Sequence, residues 1–262
     1  MIEEPYRWME AIANRREYIE HQLAGGSPIA ALSYADGILL LTLSRERQKI
    51  FEIYDRIAMG GLGHPGDIER LRMAAIELTS TEGFTRSAAD VSLRRLAAYS
   101  MSPALKAAFE QIYGAPHLAR LLFAELGRNG SPNLFLRLDY DGSIHTNGGS
   151  FGRAFEEFGV ISGNLHATGR MEEFLREKVD PKATLDEALE VAVEAWAIGH
   201  STQEESEQRE APSEAAAKAY FTVQSESLAI EAAVLDRTAR LPATWRALPE
   251  AEVRESLRHR LA

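Results

Sequence analysis

The apolar positions change their period several times along the chain, and each change predicts an element. From Pro5, the residues Trp8, Ile12, Ile19 and Leu23 recur at helical spacing until Gly25-Gly26, which predicts a leading helix with proline in its first turn. So short a segment has no core of its own, so its stripe must lie on the body of the protein or on a neighbouring subunit. Ser27 to Gly63 then reads as two successive β-hairpins. Ile29 to Tyr34 and Ile38 to Leu43 flank a turn at Ala35-Asp36-Gly37, where glycine can take a positive φ. Ile50, Ile53 and Ile57 to Met59 form the second pair around Tyr54-Asp55-Arg56. The run ILLLTL has no polar face, so it belongs to a central strand covered on both sides.

Gly60-Gly61-Leu62-Gly63 reads as a tight turn into a helix over Asp67 to Thr79, with Ile68, Leu71, Ala75 and Leu78 on its buried face. A second helix is predicted over Ser87 to Tyr113. Pro103 should kink or split it, because proline lacks a donor and crowds the preceding turn. Leu118 to Leu126 and Asn133 to Tyr140 alternate as an antiparallel pair, Ile144 begins another strand, and His145 to Ser150 reads as a loop. Phe158 to Leu165 is the next strand and Met171 to Lys178 a short helix. Thr184-Leu185-Asp186-Glu187 is a capping box opening a helix with the stripe Leu185, Leu189, Val193 and Trp196, closed by Gly199. Residues 202–218 are polar enough to predict a solvated, flexible insertion. Leu228 to Asp236 and Ala243 to Leu248 read as strands, and Pro249 to Arg260 as a terminal helix. This order fits an α+β sandwich of sheets with helices outside.

Composition narrows the function. With 45% hydrophobic residues in 262, the chain can bury one large core. A net charge of −10 argues against nucleic acid as a partner, since that affinity rests on clustered Lys and Arg. There is no cysteine, hence no disulfide framework and no thiolate chemistry. The acidic N-terminus is not a secretory signal, and no segment approaches the roughly 18 apolar residues that a membrane span needs. A soluble, cytoplasmic protein with no membrane partner is expected. The seven histidines are scattered without metal-ligand spacing, and the glycines at 60–63 lack the GxGxxG pattern, so neither metal nor cofactor is expected.

Four stretches in order carry a resemblance: QKIFEIYDRIAMGGLG, the helix after it, NLFLRLDYDGSI and SLAIEAAVLDR. Together they resemble the α-type subunit of the bacterial 20S proteasome, in its actinobacterial-like form. The resemblance implies a four-layer αββα sandwich, the N-terminal-nucleophile hydrolase fold, as a single domain over 1–262 with an extra N-terminal helix over 9–24. It implies a non-catalytic chain in a homo-oligomeric, seven-membered outer ring that caps rings of catalytic β-type subunits. Residues 1–8, with Pro5, Tyr6 and Trp8, would close the axial pore. A pocket of Lys49, Gly26 and Gly63, with His64 where archaeal members have an apolar residue, would receive the C-terminal tails of an AAA+ ATPase or other ring activator.

The same alignment leaves an alternative open, a self-compartmentalising peptidase. Ser27 falls where the active subunit has its nucleophilic threonine, and Gly26 precedes it as at a processing site. That chemistry needs a free α-amine beside a hydroxyl, an acid and a lysine. Lys49 matches the lysine, but Leu43 stands where the acid belongs and Pro28 follows Ser27. The resulting site is incomplete, and Ser27 is expected to cap or turn the chain. An orphan ring of the same fold, without a protease partner, is the remaining alternative.

Overall fold

The apolar run at 38–43 lies in the middle strand of a sheet that is covered on both faces. The computed structural model describes residues 5–45, 47–111, 113–146, 156–204, 213–239 and 243–258. The leading helix α1 (Pro5–Leu23) is followed by β1 (Ile29–Tyr34), β2 (Gly37–Ser44), β3 (Ile50–Tyr54), β4 (Ile57–Gly63) and α2 (Pro65–Thr85). Next come α3 (Leu93–Arg95), a π-helical segment (Leu96–Met101), α4 (Ser102–Glu110), β5 (Ala119–Glu125), β6 (Leu134–Leu138), β7 (Ile144–Thr146) and β8 (Phe158–Ile161). The chain then forms α5 (Leu165–Lys178), α6 (Leu185–Glu204), α7 (Glu214–Gln224), β9 (Ala229–Asp236), β10 (Trp245–Leu248) and α8 (Glu250–Arg258).

Two five-stranded antiparallel sheets result, in the orders β10-β9-β2-β1-β8 and β3-β4-β5-β6-β7. Strand alternation sorts the side chains into three buried layers. Ile38 and Leu40 of β2 face the other sheet, meeting Ala58, Leu122 and Phe135. Leu39, Leu41 and Leu43 face the opposite way, onto Leu189, Val193 and Trp196 of α6. On the far side, Met59, Leu121 and Phe123 receive Ile68, Leu71 and Ala75 of α2. The expected helix, sheet, sheet, helix order is therefore observed, with α1 in addition.

Several expectations need correction. Gly37 is not a positive-φ residue; it opens β2, and a Cβ there would stand 1.9 Å from the Leu235 carbonyl oxygen of the adjacent strand. Gly60 to Gly63 are not a turn but the second half of β4. A Cβ on Gly61 would lie 2.6 Å from Ile68, so the glycine lets α2 approach the sheet. The buried row of α2 continues through Thr79, while Leu78 is 40% exposed. Ser87 to Asp90 make a turn, and the next helix starts only at Leu93, behind the Ser92 cap. Pro103 does not break that helix: the π-helical turn ends just before it, and its missing donor falls in the first turn of α4.

The strand beginning at Phe158 stops at Ile161, because Asn164 caps α5 by accepting the Ala167 amide at 2.8 Å. His145 and Thr146 belong to β7, and the rest of the loop expected there lies outside the described residues. Gly199 does not end α6; its missing side chain leaves room for Met171, whose sulfur would be 2.3 Å from a Cβ. Residues 202–204 extend α6 and residues 214–218 start α7, so both ends of the expected insertion are helical; 205–212 lie outside the described residues. Polar composition misled there because α7 buries only a narrow row, Ala217 and Phe221.

Candidate functional site

Lys49 stands where the chain crosses from one sheet to the other, between β2 and β3. Its backbone amide and that of Ile50 both donate to the Glu231 carboxylate of β9, at 2.9 and 2.8 Å. Its carbonyl accepts the Gly61 amide of β4 at 2.8 Å, and its ammonium donates to the Ser27 carbonyl at 2.5 Å. The backbone is thus fixed by Glu231 and Gly61, and the side chain by its bond to the Ser27 carbonyl. Burial of the ammonium pulls its pKa down to about 8, against an opposing pull from Glu231. Burial likewise raises Glu231 above the ordinary carboxylate value, while the two amides and Lys49 oppose that rise.

Ser27 has a different set of partners. Its hydroxyl donates to the Leu43 carbonyl at 2.6 Å and accepts the Trp196 indole N–H at 3.0 Å. Among the described residues it meets no carboxylate or imidazole. Its nitrogen is an amide bonded to Gly26, and the Leu43 side chain is fully buried beneath α6. The hydroxyl thus serves to tie the entry of β1 to the end of β2 and to α6.

The other named residues gather at this end of the sandwich. A Cβ on Gly26 would lie 2.6 Å from Leu62. Gly63 has φ +130°, a region closed to other residues, and a Cβ there would also meet the Leu118 carbonyl at 2.1 Å. The His64 amide donates to that same carbonyl at 2.7 Å, and the His64 side chain is exposed without a capping bond. Gly26, Ser27, Lys49 and Gly63 are brought together; the Pro5, Tyr6 and Trp8 segment is the first turn of α1, as the proline at its start predicts. Residues 1–4 lie outside the described residues. Trp8 and Met9 are 44% and 66% exposed, whereas Ile19 and Leu23 at the other end of α1 are buried.

Sequence reasoning missed what holds α1 in place. Arg120 of β5 is 1% exposed and binds Asp139, Glu20 of α1 and the Ser162 carbonyl. Tyr140 donates its hydroxyl to the same Glu20 at 2.7 Å. Burial would lower the Arg120 pKa, but Asp139 and Glu20 outweigh it and hold the guanidinium above its usual value. Arg15 donates to the Phe109 and Gln111 carbonyls, and Arg16 pairs with Asp141 at 3.0 Å. One sign was legible, an arginine interrupting the otherwise apolar ARLLFA.

Among the described residues no group of three or more acidic or histidine side chains could hold a metal ion, and no helix is long and apolar enough to cross a membrane.

Comparison with known proteins agrees with this architecture. The sequence model of the proteasome subunit family matches residues 24–209, beginning where α1 ends. A proteasome subunit alpha of a Nocardioides species is 30% identical over 96% of this chain and 87% of its own length. The proteasome subunit alpha of Kineococcus radiotolerans is 33% identical over 87% of this chain and 86% of its own length, and that of Streptomyces scabiei 31% identical over 87% and 81%. The match over most of the chain, on two sheets flanked by helices, means that this chain belongs to the proteasome subunit family.

Proposed function

We propose that this chain is a non-catalytic α-type subunit of a proteasome core particle. It forms the outer ring over β-type subunits, gates entry and docks an ATPase activator. The observation that carries the reading is the setting of Ser27: its hydroxyl is taken up by the Leu43 carbonyl and the Trp196 indole, and the Leu43 side chain, at the position where the resemblance implies an acid, is fully buried. Nucleophilic catalysis needs an activated hydroxyl, and among the described residues no base is hydrogen-bonded to this one, the Lys49 ammonium being held on the Ser27 carbonyl instead. The exposed Trp8 and Met9 at the start of α1, whose anchors among the described residues begin further along the helix, support a role for residues 1–8 at the pore. The test is co-expression with a β-type subunit, followed by peptide hydrolysis by particles with and without residues 1–8. Truncation is expected to raise basal hydrolysis several-fold, because segments with few contacts order only when tied across the ring axis. Unchanged hydrolysis would remove the gate from the account, and absence of co-assembly would remove the α-type role.

Docking through Lys49 carries a pH signature. An ammonium has three donors, of which the Ser27 carbonyl takes one, leaving others for a carboxylate. With a pKa lowered to about 8, Lys49 is charged below that pH and neutral well above it. Activator affinity is therefore expected to be full at pH 7 and to fall as pH rises through 8. The group's effect on folding has the opposite slope. Between 8 and the ordinary 10.5 the unfolded chain holds the proton more tightly, so this group's contribution to stability rises with pH. A titration of activator binding from pH 6.5 to 9.5 that stays flat would rule out a Lys49 contact.

A further inference from the structure

The end of the sandwich opposite Lys49 concentrates positive charge in a chain whose net charge is −10. Three parts of the chain meet there: the β3–β4 turn with Arg56, the β5–β6 loop, and Arg237 and Thr244, which flank the facing ends of β9 and β10. The Arg237 amide donates to the Asp36 carbonyl at 2.7 Å and the Thr244 amide to the Asp55 carbonyl at 2.8 Å, joining the turn ends of both sheets. They enclose two adjoining cavities of about 590 and 520 Å³ that share Arg56, Gly127, Arg128, Asn129 and Ser131. Arg237 lines the first and Arg94 the second.

Only part of this charge is compensated. Arg56 pairs with Glu125 at 2.7 Å and donates to the Leu126 and Val91 carbonyls, so it serves the fold. Arg237 donates to the neutral Asn133 side chain at 3.2 Å. Arg94 and Arg128 are exposed and have no ion-pair partner among the described residues. Among the described residues, four arginines, Arg56, Arg94, Arg128 and Arg237, line the two cavities against one carboxylate, Glu125, which also feels Arg128, while Asp55 is near enough to act on Arg56. Asn129 and Gly130, at φ 51° and 80°, make a tight turn closed by the Ser131 amide on the Arg128 carbonyl, which holds Arg128 at the lip shared by both cavities.

We propose that this groove binds an oligophosphate, with the guanidinium groups of Arg94, Arg128 and Arg237 as its ligands. A guanidinium fork matches two oxygens of a phosphoryl group, and it stays charged at any physiological pH. Three such groups spread over two cavities suit a linked chain of phosphoryl groups better than a single carboxylate. Among the described residues neither cavity has an aromatic lining residue on which a nucleobase would stack. The ligand class is therefore set by its phosphates alone.

Isothermal titration of the full chain with sodium tripolyphosphate, at fixed ionic strength and without divalent metal, tests this. Saturable binding of one tripolyphosphate per chain is expected. Arg94→Ala/Arg128→Ala removes two exposed side chains that hold nothing in the fold, so the variant should fold normally and bind at least about ten-fold more weakly. Arg176→Ala, at an exposed arginine paired with Glu156, should bind as the wild type does. Absence of saturable heat, or equal binding by the double variant, would overturn the proposal. Equal affinity for a short polyglutamate would also overturn it, and would make the groove a docking place for an acidic protein segment.

Discussion

Lys49→Ala should remove stimulation of the assembled particle by its ATPase ring while leaving ring assembly and basal peptide hydrolysis unchanged. The backbone contacts of residue 49, to Glu231 and to Gly61, do not involve the side chain and survive the change. What disappears is the ammonium of a half-buried lysine, which on the proposed reading meets the carboxylate at the end of an activator tail. A charged hydrogen bond of this kind contributes about 1.5–3 kcal/mol, or about ten-fold or more in affinity per site. On the proposed reading several tails would engage one ring, so the losses would multiply through effective concentration. Lys49→Arg should rescue only in part, because a planar fork does not fit the space of a compact ammonium. Normal activator binding by Lys49→Ala would refute the docking role, and failure to form rings would make Lys49 a structural residue.

Arg120→Ala should cost about 3–5 kcal/mol of stability, because it takes the buried guanidinium from Asp139 and leaves that carboxylate only the longer contacts to Arg137 at 3.4 Å and His145 at 3.9 Å. Glu20 would lose one of its two partners and keep Tyr140, so α1 should loosen before the sheets do. Hydrogen exchange should show α1 amides unprotected in the variant, with the β1 and β2 amides still slow. Glu20→Gln keeps a hydrogen-bonding side chain for both partners and should cost much less. Urea unfolding that places Arg120→Ala within about 1 kcal/mol of the wild type would show that the packing of Ile19 and Leu23 holds α1 alone.

Local pattern carried much of this architecture. Strands such as 38–43 could be read because both faces are covered, and the cap at Thr184 because it is local: the Thr184 amide donates to Glu187 at 2.8 Å. The errors share a cause, which is that packing between distant elements overrode a local signal. Gly61 and Gly199 punctuate nothing; they clear room for Ile68 and Met171. The residues named for the candidate site converge on one end, yet the carboxylate that holds the Lys49 backbone, Glu231, lies 182 residues away along the chain. No spacing rule connects them. Arg120 was visible as a charge in an apolar strand, but its partners on α1, just after β6 and in the loop before α5 were not.

The account rests on Ser27 being structural. The most direct measurement is peptide hydrolysis by particles assembled with a β-type subunit, carrying either wild-type chain or Ser27→Ala, together with the intact mass of this chain. Ser27→Ala keeps the carbonyl that receives Lys49, so the docking geometry is preserved. Equal hydrolysis by both particles, with residues 1–26 retained in the mass, is the predicted result. Loss of residues 1–26 from the wild-type chain, with hydrolysis abolished by Ser27→Ala, would contradict the account and make Ser27 the nucleophile.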